Sequence, residues 1–192
     1  CIAVGIGDRS SGIKFCNFTG FPQERLFIDP QGELHQQLAL YRGLSWQYPG
    51  LNPTQTAWLN LMLMCAGIGS PGTLREVLRG YTGDRQAPQL FPEDAVIKAK
   101  PLPPIKGEFF NRLGTGYQRP FELATLRLQN MGEVLSNWQT YVPNGAYLTQ
   151  RGATFLFDSK GELIYKHLDR GILDFAEDKS SPLSFLTQLE SP

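Results

Sequence analysis

Cysteine and histidine are scarce in this chain: its 192 residues hold three cysteines and two histidines. Cys1, Cys16 and Cys65 do not make a disulfide framework, and their spacing offers no Cys-x-x-Cys pair for zinc or dithiol exchange. His35 and His167 are too few to build a metal site or a Cys-His-Asn arrangement, so no metal is expected. Net charge is lacking as well, with 18 basic against 18 acidic side chains. That balance removes the global field that draws a protein to nucleic acid or to an anionic membrane. Long apolar runs are also missing. The longest, 57–68, contains Asn60 and falls well short of the roughly 20 residues that span a bilayer, so a buried helix is expected there. Gly5-Ile6-Gly7 precedes a helix, but the third glycine and the ribose-binding acid of a dinucleotide loop are absent, and no cofactor is expected. Few cysteines without a framework favour a reducing compartment.

What is present fits one domain over 1–192, with 41% hydrophobic, 11% aromatic and 19% charged residues. A strand is expected over 1–7, then a helix over 12–18 capped by Ser10 or Ser11 and ended by Thr19-Gly20. A short strand follows over 25–28, with a turn at Asp29-Pro30-Gln31-Gly32. Leu34, Leu38 and Tyr41 then lie at helical spacing on one face of 33–41. From 44 to 118 Pro, Gly and aromatic residues dominate, which marks an insertion packed on the core. Two helices are expected inside it, from Thr54 or Thr56 to Cys65 and over 73–80, the second with an apolar stripe of Leu74, Val77 and Leu78. The stretch 88–104 is expected to be irregular or extended because its prolines interrupt any long element. A longer helix over 121–138 should bury Ala124, Leu128, Met131, Leu135 and Trp138. Ser181-Pro182 should open a last helix with Leu183, Leu186 and Leu189 inside.

The most specific stretch runs over 151–165. Strand-forming residues fill 153–157 and 163–165, and Asp158-Ser159-Lys160-Gly161 supplies a turn in which Gly161 can take positive φ. The Arg151-Gly152 entry, the apolar strand behind it, Asp158 and Lys160-Gly161 resemble the peroxiredoxin superfamily. A second block agrees: Gly12-Ile13-Lys14-Phe15-Cys16-Asn17-Phe18-Thr19-Gly20-Phe21-Pro22, then Leu26-Phe27-Ile28-Asp29-Pro30 and Leu38-Ala39-Leu40-Tyr41-Arg42-Gly43. Together they resemble the peroxiredoxin-like AhpC/TSA antioxidant-enzyme family, particularly its cyanobacterial and chloroplast members. The resemblance covers the first 43 residues and the chain from about Arg119 onward.

That resemblance implies an α/β, thioredoxin-like fold, a mixed sheet flanked by helices, with strand order 2-1-3-4. Members of the family normally carry the reactive cysteine upstream of the first residue seen here. The chain opens on a strand already under way, so it is expected to be the C-terminal part of a longer protein that lacks its first βα unit. Strand 2 would be 1–7 and the hairpin would supply strands 3 and 4. The absent central strand would then leave a gap, unless strands 2 and 3 pair directly.

The resemblance also implies thiol-dependent reduction of a peroxide, or chemistry on a thiol or disulfide substrate, with a thioredoxin-type electron donor. The compartment implied is the cytoplasm, or the chloroplast stroma in a plant or alga. Arg151 stands where the family places an arginine that faces the reactive thiolate; the alternative is that it caps the sheet edge or pairs with a surface carboxylate. Cys16, between Phe15 and Phe18, is either a buried inert thiol or a resolving cysteine that condenses with an upstream sulfenic acid. Cys1 is expected in the core, Cys65 at the end of an apolar helix, His167 at the surface, and Asp169-Arg170-Gly171 in a structural turn. Gly152, where thioredoxins proper have a cis-proline, argues against a general disulfide reductase. The span by itself is expected to be inactive. A second reading is a non-catalytic thioredoxin-fold binding module that serves a membrane-associated assembly through its aromatic residues, among them Trp46, Tyr48, Phe109, Phe110 and Tyr117.

Overall fold

The computed structural model describes residues 1–82, 89–98, 102–112 and 120–189. The N-terminal unit is built from local signals. Strand β1 (Ala3–Gly5) leads through Ile6-Gly7 to helix α1 (Arg9–Thr19), and the cap is Asp8 rather than Ser10 or Ser11. The Asp8 carboxylate accepts from the Ser11 N–H at 2.8 Å while the Asp8 N–H donates to Ser11 Oγ, also at 2.8 Å. Ser11 therefore occupies the return position of a capping box, which satisfies two otherwise orphaned donors. Gly20 ends the helix at φ 74°, as the sequence predicts. A single 3₁₀ turn, Gln23–Arg25, then feeds strand β2 (Leu26–Ile28), which pairs parallel with β1 in the register Ala3↔Leu26. Leu26 and Ile28 pack under α1, where Gly12 comes so close that a Cβ would lie 2.8 Å from Ile28 Cδ1. Val4 and Phe27 face each other on the outer side and are exposed.

Helix α2 (Glu33–Gln37) is shorter than the expected 33–41. Ala39 at φ 51° breaks the periodicity, so Leu34 and Leu38 stay exposed and Leu40 is buried in their place. Helix α3 (Pro53–Cys65) starts at an Asn52–Gln55 capping box with Pro53 in its first turn. Its inner face is Thr56, Asn60 and Met64. Asn60, the polar residue inside the apolar run, donates to Trp46 O at 3.0 Å and accepts from Tyr48 Oη at 3.1 Å, tying the preceding loop to the helix.

Two expected apolar faces turn the other way. On α4 (Thr73–Thr82) it is Thr73 and Glu76 that are buried, while Leu74 is 55% and Leu78 63% exposed. The reason is polar: Arg79 forks onto Glu76 with two bonds of 2.8 Å and reaches Ser180 Oγ at 3.1 Å, holding the charged face inward. On α6 (Pro120–Ser136) the buried residues include Glu122, Leu123 and Thr125, and Met131 and Leu135 are exposed. Glu122 Oε1 accepts from the N–H groups of Leu90 and Phe91 at 3.1 and 2.8 Å. Asn137 breaks the expected continuous helix, and α7 (Trp138–Tyr141) resumes so that Trp138 stacks on Trp58 at 4.4 Å.

Inside 88–104, expected to be irregular or extended, Val96–Ile97 (β3) is extended and pairs antiparallel with Ile105–Lys106 (β4). Phe110 of α5 (Glu108–Asn111) packs on Phe91 at 5.5 Å. Tyr117 lies outside the described residues. The hairpin β5 (Ala153–Phe157) and β6 (Leu163–Leu168) forms as the sequence predicts, with Gly161 at φ 85° and a register shift at Leu156/Phe157. The last expected helix is a 3₁₀ segment, Ser184–Leu189, in which Leu183 and Leu186 are exposed and Phe185 stacks on Tyr165 at 4.6 Å. The Leu189 side chain lies outside the described residues.

The architecture is therefore mixed helix and strand, but the expected single sheet is absent from the described residues. The described residues form three separate two-stranded sheets, β1-β2, β3-β4 and β5-β6. β1 pairs with β2, not with the hairpin, because no described strand bridges the two.

Candidate functional site

Arg151 stands at the entry to β5, and distant stretches of chain fix its position. Its N–H donates to Tyr41 O at 2.9 Å, and Gln150 Nε2 reaches the same carbonyl at 3.1 Å. Thr149 Oγ1 donates to Arg42 O at 2.8 Å. Between them lies Gly43, at φ 74°, where a Cβ would overlap Thr149 O and lie 2.8 Å from Met64 Sδ. No other residue allows this approach of 41–43, 149–151 and the end of α3. Met64, fully buried, also receives the Leu44 N–H at 3.4 Å.

The guanidinium is half-buried. Its Nε donates to Thr149 O at 2.9 Å and its Nη2 to Leu148 O at 3.4 Å, while Nη1 has no hydrogen-bond partner among the described residues. Burial lowers its pKa, and the nearby charges of Asp169, Cys65 and Tyr41 oppose that shift. The Arg151 side chain thus binds backbone just ahead of β5 and forms no direct ion pair among the described residues. The Asp169 carboxylate and the Cys65 thiol are within its electrostatic reach.

Each of those neighbours has a perturbed environment. Burial pushes the Asp169 carboxyl up, against the pull of His167 and Arg151. Its N–H closes the hairpin onto Gly152 O at 3.1 Å. His167 is not a solvated surface residue: it is partly buried, with Nε2 2.9 Å from Asp174 O and 3.9 Å from Asp169 Oδ1. Burial raises Asp174, but the Arg170 N–H, Lys179 and His167 outweigh it and hold the carboxyl below the usual range. Arg170 lies over the Tyr41 ring, 5.9 Å from its centroid. Asp169-Arg170-Gly171, expected as a structural turn, is instead a bend packed on a distant segment: a Cβ at Gly171 would lie 2.7 Å from Pro71 O, and Ile172 N–H reaches Ser70 Oγ at 2.6 Å.

The three thiols are now distinguishable. Cys16 is buried on α1, and no hydrogen bond or charge interaction joins it to Arg151 among the described residues. Cys1 is exposed, not in the core. Cys65, at the exposed end of α3, is the thiol whose charge Arg151 influences; partial burial raises its pKa and Arg151 opposes the rise. Sequence reasoning ranked Cys16 above Cys65 because no local pattern marks Cys65. Met64 and Thr149 both close on Gly43, which brings the end of α3 toward the segment that carries the arginine.

A cleft of about 320 Å³ opens at the C-terminal ends of β1 and β2, walled by Ile6, Asp8, Gln31, Tyr141, Tyr147 and Leu148. Burial, with Glu133 accepting its hydroxyl at 3.1 Å, pushes Tyr141 up to about 12. The cleft adjoins the arginine through Leu148, whose carbonyl accepts from Arg151. No group of side chains that could hold a metal occurs among the described residues, and no helix among them is long and apolar enough to cross a membrane.

No curated protein and no solved structure matched the chain. A family match does exist: the family described as AhpC/TSA antioxidant enzyme covers residues 1–100 and 102–171. It runs through most of 44–118, the stretch that composition sets apart, as well as through the Arg151 hairpin. The family implies a thioredoxin-like fold and thiol-dependent antioxidant or redox function. With its pattern matched over most of its length, the chain belongs to the AhpC/TSA antioxidant-enzyme family.

Proposed function

We propose that this chain carries the arginine side of a thiol-dependent peroxide-reducing site, with the attacking thiolate supplied by a cysteine other than Cys1, Cys16 and Cys65. The observation that carries the reading is the Arg151 guanidinium: two backbone carbonyls hold it, and Nη1 remains uncommitted among the described residues. In such a site the thiolate sulfur attacks the terminal peroxide oxygen and the O–O bond breaks. The sulfur becomes a sulfenic acid, and the departing oxygen takes a proton to leave as alcohol or water. An arginine N–H aimed at that oxygen stabilises the charge developing on it. None of the three cysteines present suits the attacking role: Cys16 is buried, Cys1 is exposed at a strand end, and the Cys65 thiol is held up rather than activated. A thioredoxin-type dithiol is the proposed donor, and the cytoplasm or the chloroplast stroma the proposed compartment.

The test is peroxide consumption coupled to a thioredoxin donor, on this span and on the gene's full product. Turnover in the full product alone, lost by about 100-fold in Arg151→Ala, is the expected result. A second reading, a non-catalytic binding module, draws on the exposed Leu74 and Leu78 stripe of α4. It predicts silence from both proteins.

A further inference from the structure

We propose that Gln150 is a positioning residue for Arg151, an inference that rests on the peroxidase reading above and adds to it the side chain that aims the guanidinium. Both the backbone and the side chain of Gln150 are engaged. Its N–H donates to Tyr147 O at 3.0 Å and closes the turn that carries Leu148 and Thr149. Those two residues supply the carbonyls that the guanidinium binds. Its Nε2 donates to Arg151 O at 2.9 Å and to Tyr41 O at 3.1 Å. Tyr41 O also accepts the Arg151 N–H at 2.9 Å, so the Arg151 backbone is held at its N–H and at its carbonyl. One carboxamide thus ties together the acceptors of the guanidinium, the backbone from which it grows and the 41–43 segment.

The residue type matters to this role. A primary amide nitrogen carries two hydrogens, one for each of the two carbonyls, whereas a hydroxyl carries one and a carboxylate none. The far anchor is itself fixed: Tyr41 Oη donates to Gly69 O at 2.8 Å, and the Arg170 guanidinium lies over the Tyr41 ring. An arginine side chain is rich in rotamers. One that is aimed in advance brings its N–H to a reacting oxygen without having to be ordered at that moment. Gln150 acts through Arg151 and is not itself a catalytic residue.

The experiment uses the gene's full product, unaltered and as Gln150→Met, which keeps the length of the side chain and removes both donors. Nuclear magnetic resonance follows the exchange of individual protons with solvent. In the unaltered protein the Gln150 Nε2 protons should exchange about tenfold more slowly than those of Gln23, an exposed residue whose side chain has no hydrogen bond among the described residues. In Gln150→Met the Arg151 Nε–H, bonded to Thr149 O, should exchange about tenfold faster and its resonance should move. The Gly20 N–H, bonded to Cys16 O in the N-terminal unit, should exchange as before. The second-order rate with hydrogen peroxide should fall about tenfold, with the KM for the thioredoxin donor unchanged. Fast exchange at Gln150 Nε2 in the unaltered protein overturns the positioning role, and this measurement stands even where the variant does not fold. An Arg151 Nε–H that keeps its resonance and exchange rate in Gln150→Met, or a peroxide rate that does not fall, overturns it too. Equal acceleration at Gly20 and Arg151 marks general destabilisation and overturns it as well. A full product that consumes no peroxide, with the Arg151 changes as expected, removes the peroxidase reading and leaves the hold of Gln150 on Arg151 in place.

Discussion

The β1–α1–β2 unit and the hub around Arg151 are held together by opposite means. In the first, the bonds join near neighbours, Asp8 with Ser11 and Cys16 with Gly20, or the two strands on either side of α1, as where the Asp29 N–H donates to Gly5 O. In the hub the bonds leap across the chain, as with Arg42 and Thr149, Tyr41 and Gln150, Ser70 and Ile172. A local unit can form from its own residues. The hub exists only when α3, the 41–44 segment and the hairpin have met, so its assembly carries the loop-closure cost of three distant segments. A site that needs a guanidinium half out of water, with few partners, is built where tertiary contacts over-determine it.

Two glycines allow that difference to be measured directly, because both Gly20 and Gly43 have φ 74°. At Gly20 a Cβ meets nothing within 4 Å; at Gly43 it meets Thr149 and Met64. Gly43→Ala should cost about 3 kcal/mol, backbone strain plus overpacking, and should displace the segment that carries Arg151. Chemical denaturation reads the first effect, and the rate of peroxide turnover in the full product reads the second. Equal losses at Gly43 and Gly20 would break the comparison. Thr149→Val comes next: it removes the bond to Arg42 O at a buried position and should cost about 1–2 kcal/mol, with the loss confined to the hub in hydrogen exchange. Gly20→Ala should cost about 1 kcal/mol, from the αL backbone alone, and leave turnover unchanged.

The smallest effect is in pH. Asp8 is held below its usual value by the Ser11 N–H and the Ser10 hydroxyl, so its contribution is complete above 3.8 and is lost as pH falls through the lowered pKa. Asp169 is raised by burial, so its contribution is complete below 3.8 and is lost as pH rises through the raised pKa. Melting temperatures across the acid range should therefore slope in opposite directions for the two groups. Asp8→Asn should flatten the acid limb and Asp169→Asn the limb above 3.8; the same limb flattened by both would remove the distinction.

Legibility in the sequence follows the same line. The Gly20 cap and the Gly161 turn are written in residues a few positions apart, whereas α3 starts at Pro53 behind an Asn52 cap, ahead of the expected Thr54 or Thr56. The inner faces of α4 and α6 were not legible. Leu74, Leu78, Met131 and Leu135 carry the helical period, yet Glu76 with Arg79 and Glu122 with the Leu90 and Phe91 N–H groups occupy the interior. A period says which residues share a face but not which face meets a neighbour. Arg151 could be singled out by the residues around it, whereas Cys65 could not, since the arginine that influences it lies 86 positions away along the chain.

The sequence by itself determined the turns, the caps, the hairpin and the family, because each is encoded in residues that act on their own backbone or in a pattern that spans the chain. The tertiary structure alone decided which helix faces are buried, which strands share a sheet and which thiol the arginine influences. Those outcomes depend on contacts between segments far apart in the chain, as where Gly43 leaves room for both Met64 and Thr149 to approach it.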